Sequence, residues 1–118
     1  MKQVLIVDDS QPIRQRITAL LEESPQIHII GQAGTGWEGW QTLQHLHPDT
    51  VILDIQLPDE SGIELLKQIK ANYPEIKVIM LTNYDFQQYR RQCRQLGADH
   101  FLSKTLEFDK VVDAVLQR

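Results

Sequence analysis

Four apolar runs rich in valine and isoleucine, Val4–Val7, Ile27–Ile30, Val51–Leu53 and Val78–Leu81, start at intervals of 20-odd residues, and a shorter fifth, Phe101–Leu102, follows. Continuous rather than alternating apolar runs suit strands buried on both faces, the pattern of a parallel sheet. Each interval leaves room for one helix and two short loops. The segments between the runs have helical spacing. Residues 11–24 place Ile13, Ile17, Leu20 and Leu21 on one face, with Pro12 in the first turn. Residues 36–47 offer Trp40, Leu43 and Leu46 and stop before Pro48; residues 61–72 offer Ile63, Leu66 and Ile69 and stop before Pro74. Residues 85–96 offer Phe86, Tyr89, Cys93 and Leu96, closed by Gly97, and residues 106–117 offer Phe108, Val111, Val112 and Val115.

The pattern is (βα)5. A closed barrel needs eight such units, which 118 residues cannot supply. The expectation is a single domain over residues 1–118: an α/β three-layer sandwich whose open parallel sheet has helices on both faces and right-handed crossovers. Two strand orders compete. A half-Rossmann order needs a glycine fingerprint after the first strand, where Asp8-Asp9-Ser10-Gln11 stands instead. The flavodoxin-like order 2-1-3-4-5 is therefore expected.

Ligands of such sheets bind beyond the carboxyl ends of the strands. There the first strand is followed by Asp8 and Asp9, the third by Asp54 and the fifth by Lys104, while the fourth ends in Thr82. In the order 2-1-3-4-5 these strands are consecutive neighbours, about 4.8 Å apart. Three carboxylates so close must be neutralised by raised pKa values, by Lys104 or by a cation. An all-oxygen donor set suits Mg2+, or Mn2+, better than zinc. A metal beside a carboxylate, a lysine and a hydroxyl is what phosphoryl transfer requires. One aspartate after a strand is commonly a cap or loop residue, and Thr82 or Lys104 alone would be ordinary; their weight is joint.

Taken in order and spacing, Leu5-Ile6-Val7-Asp8-Asp9, Val51-Ile52-Leu53-Asp54-Ile55-Gln56-Leu57-Pro58, Ser61-Gly62-Ile63-Glu64-Leu65-Leu66, Val78-Ile79-Met80-Leu81-Thr82, Gly97-Ala98-Asp99 and Lys104 make the chain resemble, over nearly its whole length, the CheY-like receiver domain of two-component response regulators. The resemblance implies that Asp54 accepts a phosphoryl group from a sensor histidine kinase or a histidine phosphotransfer protein. It implies that Asp9, Asp54 and the Gln56 backbone carbonyl ligate Mg2+, with Asp8 acting through water. Thr82 and Lys104 would contact the phosphoryl oxygens, and Phe101 would hold the aromatic switch position. Output would run through helix 4, strand 5 and helix 5 to a downstream protein or output domain, and a phosphorylation-dependent homodimer is compatible with it. Such a domain catalyses only its own phosphorylation and dephosphorylation and is not a dedicated enzyme. Three positions depart from the common pattern: Thr105 follows Lys104 where many receivers have proline, Phe101 replaces a frequent tyrosine, and Trp37 stands where a charge is usual.

Other classes fit less well. An aspartyl-phosphate phosphatase wants a second aspartate two residues after the nucleophile, where Gln56 stands. A flavodoxin-like electron carrier needs a hydroxyl- and glycine-rich loop after strand 1, where Asp8 and Asp9 would repel FMN. A pseudo-receiver acting as a scaffold would not need the complete acidic set. The net charge of −4 disfavours direct nucleic-acid binding. The basic patch Arg90, Arg91 and Arg94 reads as a solvated helix face, with a protein contact as the alternative. His45 and His47 read as surface residues, His100 as a strand residue, Trp40 as core and Cys93 as an inert core thiol. A lone cysteine, no run near the ~20 residues of a membrane span, and an acidic N-terminus unlike a signal peptide make a cytoplasmic location the expectation. The chain is read as either a stand-alone receiver or a piece of a longer regulator.

Overall fold

The computed structural model describes residues 1–117. Strands β1 (Lys2–Val7), β2 (Ile27–Ala33), β3 (Thr50–Leu53), β4 (Lys77–Thr82) and β5 (His100–Ser103) alternate with helices α1 (Gln11–Leu21), α2 (Gly36–Leu46), α3 (Gly62–Asn72), α4 (Gln87–Gln95) and α5 (Val111–Leu116). All pairings are parallel, in the order β2-β1-β3-β4-β5. This is the flavodoxin-like arrangement expected from the spacing of the apolar runs.

Two-residue periodicity sorts each strand between two cores. Leu5, Val7, Val51, Leu53, Val78 and Met80 pack with Leu43 of α2, Leu66 and Ile69 of α3 and Cys93 of α4. Their neighbours Val4, Ile6, Ile52, Ile79 and Leu81 pack with Ile17 and Leu21 of α1 and Val111 and Val115 of α5. Fully burying one such side chain is worth ~1.5–3 kcal/mol. A one-residue slip would exchange both faces at once, so burial pins the register.

Hydroxyl side chains start the first three helices. Ser10, Thr35 and Ser61 accept from the amides of Ile13, Glu38 and Ile63 at 3.3, 3.0 and 3.1 Å. α4 ends in a Schellman motif: Gly97 (φ 101°) donates to the Arg94 carbonyl at 3.1 Å and Ala98 to that of Cys93 at 2.9 Å. Among the described residues no helix is long and apolar enough to cross a membrane.

Several boundaries differ from expectation. β2 runs on to Ala33, with a bulge where Val4 faces Ile29 and Leu5 faces Gly31. Small and polar Gly31 and Gln32 carry no strand signal. α4 begins at Gln87, leaving Phe86 as its N-cap, 61% exposed rather than on the buried face. Leu46, in the last turn of α2, is half exposed. The final helix is shorter than residues 106–117: a 3-10 turn, Phe108–Lys110, precedes α5.

Candidate functional site

The carboxyl edge of the sheet gathers the predicted side chains. Asp8 and Asp54 directly follow β1 and β3, Thr82 ends β4 and Lys104 directly follows β5. Lys104 Nζ lies 2.7 Å from Asp8 Oδ2 and 2.8 Å from Asp54 Oδ2, all three side chains being buried. Asp8, Asp9 and Asp54 each offer an oxygen within 4.8 Å of the others, with Asp9 exposed. Burial pushes the Asp8 carboxyl above its ordinary value, opposed by Lys104 and by the Ser10 amide, and aided by the charge of Asp54. Burial pulls the other way on Lys104, but its bonds to Asp54 and Asp8 outweigh it, and its pKa is raised.

Asp54 is held asymmetrically. Oδ2 meets Lys104, whereas Oδ1 is buried with no hydrogen-bond partner among the described residues. A buried acceptor left unsatisfied costs ~1–3 kcal/mol, more when charged. An oxygen-only cluster with one orphaned, charged acceptor fits a hard cation or a transferred group.

The loop after β3 folds tightly beneath this carboxylate. An antiparallel bridge pairs Gln56 with Ser61, and the Gly62 amide donates to the Ile55 carbonyl at 2.6 Å. A Cβ on Gly62 would lie 1.9 Å from the Asp54 carbonyl oxygen, so only glycine permits this approach. Asp59 of the same loop accepts from the Gly36 and Trp37 amides at 2.8 and 2.9 Å, and these bonds hold its carboxyl below the usual range. Trp37 itself stays 68% exposed.

Thr82 is buried and its Oγ1 accepts from the Tyr84 amide at 3.0 Å. Among the described residues its hydroxyl proton has no acceptor. Tyr84 stacks on Tyr89 and, with Ile55, Gln56, Leu57 and Ser61, borders a cavity of about 280 Å3 between the loop after β3 and the start of α4. Thr105, in the place where many receivers have proline, sets its Oγ1 3.0 Å from Ser103 Oγ, which also donates to Asp85 at 2.8 Å.

One reading of the basic patch needs correction. Arg90 does not belong to a solvated basic face with the exposed Arg91 and Arg94. It donates to the Phe101 carbonyl at 2.9 Å and to Glu107 Oε1 at 3.3 Å, and its guanidinium lies 4.8 Å from the Phe101 ring centroid. Phe101 is accordingly buried among the residues facing α2, α3 and α4. His45 and His47 are exposed, Trp40 packs against the core, and Cys93 is fully buried, which pushes its thiol up to about 11.

Sequence reasoning missed Arg14, which donates to the Asp8 carbonyl at 2.6 Å, and the Asp59, Asp85 and Glu107 contacts. The Asp59 and Asp85 contacts span 18 residues or more, Arg14 reaches back six from α1 and Glu107 back four to β5, and no apolar periodicity announces any of them.

The family described as "Response regulator receiver domain" matches residues 4–116. The chain belongs to that family. As a receiver it stands among signalling proteins of two-component systems rather than classical enzymes. Receivers bind Mg2+ at an acidic pocket, and the cluster of Asp8, Asp9 and Asp54 fits that donor set. An uncharacterized response regulatory protein of Vibrio cholerae is 39% identical over 98% of this receiver and 47% of its own length. The response regulator protein VraR of Staphylococcus aureus is 34% identical over 95% of this receiver and 54% of itself. The transcriptional regulatory protein LnrK of Bacillus subtilis is 31% identical over 98% and 53%. The receiver thus spans about half the length of the curated relatives it matches. Among solved structures, the CheX–CheY–BeF3–Mg complex of Borrelia burgdorferi superposes with a TM-score of 0.90 at 31% identity, covering 98% of this receiver and 87% of that chain. A LuxR-family response regulator from Aurantimonas has a TM-score of 0.91 at 22% identity over 98% of this receiver and 82% of itself, a likeness of fold.

Proposed function

We propose that residues 1–118 act as one phospho-acceptor unit in which Asp54 takes a phosphoryl group from a phosphohistidine of a sensor histidine kinase or a histidine phosphotransfer protein. The observation that carries this reading is the asymmetry of Asp54: one oxygen paired to Lys104, the other buried without a partner. An Asp54 oxygen forms the new O–P bond. The P–N bond of the donor breaks, and its electron pair stays on the imidazole nitrogen.

Lys104 has a second task after transfer. Its ammonium, already shared by Asp8 and Asp54, can donate to a phosphoryl oxygen without leaving the site. The free hydroxyl proton of Thr82 supplies another donor once the loop after β4 closes in. Asp9, Asp54 and the Gln56 carbonyl would hold Mg2+, with Asp8 acting through water; the ion supplies neutralisation of the phosphoryl charge. Phosphorylation adds a charge of about −1.5 to −2. The drawing-in of Thr82 then acts on α4, β5 and Phe101, and the α4–β5–α5 face carries the change to a partner or output domain.

The test is intact-mass analysis after incubation with Mg2+ and a small phosphodonor. One acid-stable, base-labile phosphoryl group is expected on the wild type and none on Asp54→Asn. Equal modification of both proteins removes Asp54 as the acceptor.

A further inference from the structure

We infer that Arg14 is a positioning residue for the metal-binding carboxylates, acting through the peptide unit between Asp8 and Asp9. The inference rests on the Mg2+ reading proposed above. Asp9 is exposed, and among the described residues its side chain makes no hydrogen bond or ion pair. Nothing at its own carboxylate therefore sets its direction. What remains is the backbone it springs from.

That backbone is gripped at one atom in particular. Arg14 Nη1 donates to the Asp8 carbonyl oxygen at 2.6 Å. This carbonyl shares a planar peptide unit with the Asp9 amide, so fixing its oxygen fixes the plane at which the Asp9 residue begins. The Asp8 amide is already tied to the Ala33 carbonyl at 3.0 Å, and Asp8 Oδ1 accepts from the Ser10 amide at 2.9 Å. Arg14 adds the restraint on the far side of Asp8, where the β1 ladder has ended.

The grip is itself braced. Arg14 Nε donates to Gln32 Oε1 at 3.3 Å, Gln32 Nε2 donates to Thr18 Oγ1 at 3.4 Å, and Thr18 Oγ1 donates to the Arg14 carbonyl at 2.8 Å. The guanidinium thus spans from β2 to the end of β1 while its own turn of α1 is tied to the same network. A planar fork with two fixed donors suits this task; a lysine ammonium offers one point of contact from a flexible stem.

Charge and geometry make opposite predictions here. If Arg14 acted only as a cation near an acidic cluster, removing it would strengthen cation binding. If it positions the carboxylates, removing it weakens binding, as loss of supporting contacts commonly does by 10–100-fold.

The experiment is calorimetric titration of Mg2+ into the unphosphorylated protein, paired with a thermal melt without Mg2+. The proteins are wild type, Arg14→Gln, Arg14→Lys and Gln32→Ala. Arg14→Gln is expected to raise the Mg2+ Kd about tenfold, Arg14→Lys to recover part of that loss, and Gln32→Ala to fall between wild type and Arg14→Gln. A folded Arg14→Gln that binds Mg2+ as tightly as wild type, or more tightly, overturns the inference even if its melt is lowered. Should Arg14→Gln fail to fold, an unchanged Kd in both Arg14→Lys and Gln32→Ala overturns it equally. A wild type that binds no Mg2+ overturns the metal reading and this inference together, whereas Mg2+ binding insensitive to all three variants sinks the inference alone.

Discussion

Among the described residues Lys104 is the only cation that reaches both buried carboxylates, at 2.7 and 2.8 Å, and the site's electrostatics turn on it. Its raised pKa means that the folded state holds its proton more tightly than the unfolded chain does. The stability this confers is complete below the unfolded lysine value, near pH ~10.4, and is lost as pH rises through the folded one. Asp8 behaves oppositely to a salt-bridged surface aspartate: its raised pKa makes stability fall as pH climbs from the unfolded value near pH ~3.9 through the folded one. Replacing Lys104 by alanine leaves two buried carboxylates without their counter-ion. We expect Lys104→Ala to lose about 3–5 kcal/mol at neutral pH and to regain part of it as the carboxylates protonate in acid. Urea titrations at pH 5 and pH 7 check this. A variant no less stable at pH 7 than at pH 5 would contradict the assignment of Lys104 as the cluster's counter-ion.

Among the elements, α4 is the most loosely anchored. Cys93 is its only fully buried residue, and Phe86 at its N-cap makes no side-chain capping bond. Arg90 compensates, tying the helix to the Phe101 carbonyl, the Phe101 ring and Glu107. Glu107 is itself fixed by the Ser103 amide at 3.1 Å, and that bond, with Arg90, holds its carboxyl below its usual range. The tie therefore joins α4 to β5 at Phe101 directly and at Ser103 through Glu107. Hydrogen bonds to a charged group are worth about 1.5–3 kcal/mol, and an exposed cation–π contact about 0.5–1 kcal/mol. Arg90→Ala should accordingly destabilise the fold by about 2 kcal/mol and speed amide exchange in α4 while leaving α1 and α2 unchanged. Uniform acceleration throughout the chain would mean that α4 does not open separately. Such an element is suited to carry the proposed switch, because little energy is needed to move it.

At the scale of the whole molecule, four parallel strands deliver their chemistry to one edge while two cores hold the sheet from either side. The sheet brings three carboxylates together against one lysine, so the folded state carries unrelieved repulsion that a bound cation removes. Ligand binding to the folded state alone stabilises it by linkage, ~2.7 kcal/mol at 100 times Kd. Millimolar Mg2+ should raise the melting temperature of wild type. Asp9→Ala should lose that response and melt no lower than wild type without Mg2+, since it removes one of three like charges. A wild-type melt indifferent to Mg2+ would weigh directly against a metal site at this edge.

The strand order and the residues that meet at the sheet edge were legible from sequence because they follow from periodicity. Unbroken Val and Ile runs can be satisfied only by burial on both faces, and a (βα)5 count with Asp8-Asp9 after the first strand leaves one arrangement of neighbours. That arrangement brings Lys104 to the same edge as Asp8 and Asp54, but its pairing with both, across the intervening strands, is a tertiary result. Other features could be decided only by the tertiary structure. Phe86 looks like a core residue by helical spacing, yet α4 starts one residue later and turns it to solvent. Arg90 looks like a surface charge, yet β5 offers a carbonyl that a helix-face reading cannot see. Arg14 reaches back 6 residues from α1 to the Asp8 carbonyl, and Asp59 reaches more than 20 residues to the first amides of α2. Apolar burial repeats with the period of the helix or strand and so leaves a local pattern. A hydrogen bond between loops depends on where two distant backbones come to rest, and no spacing within either loop records it.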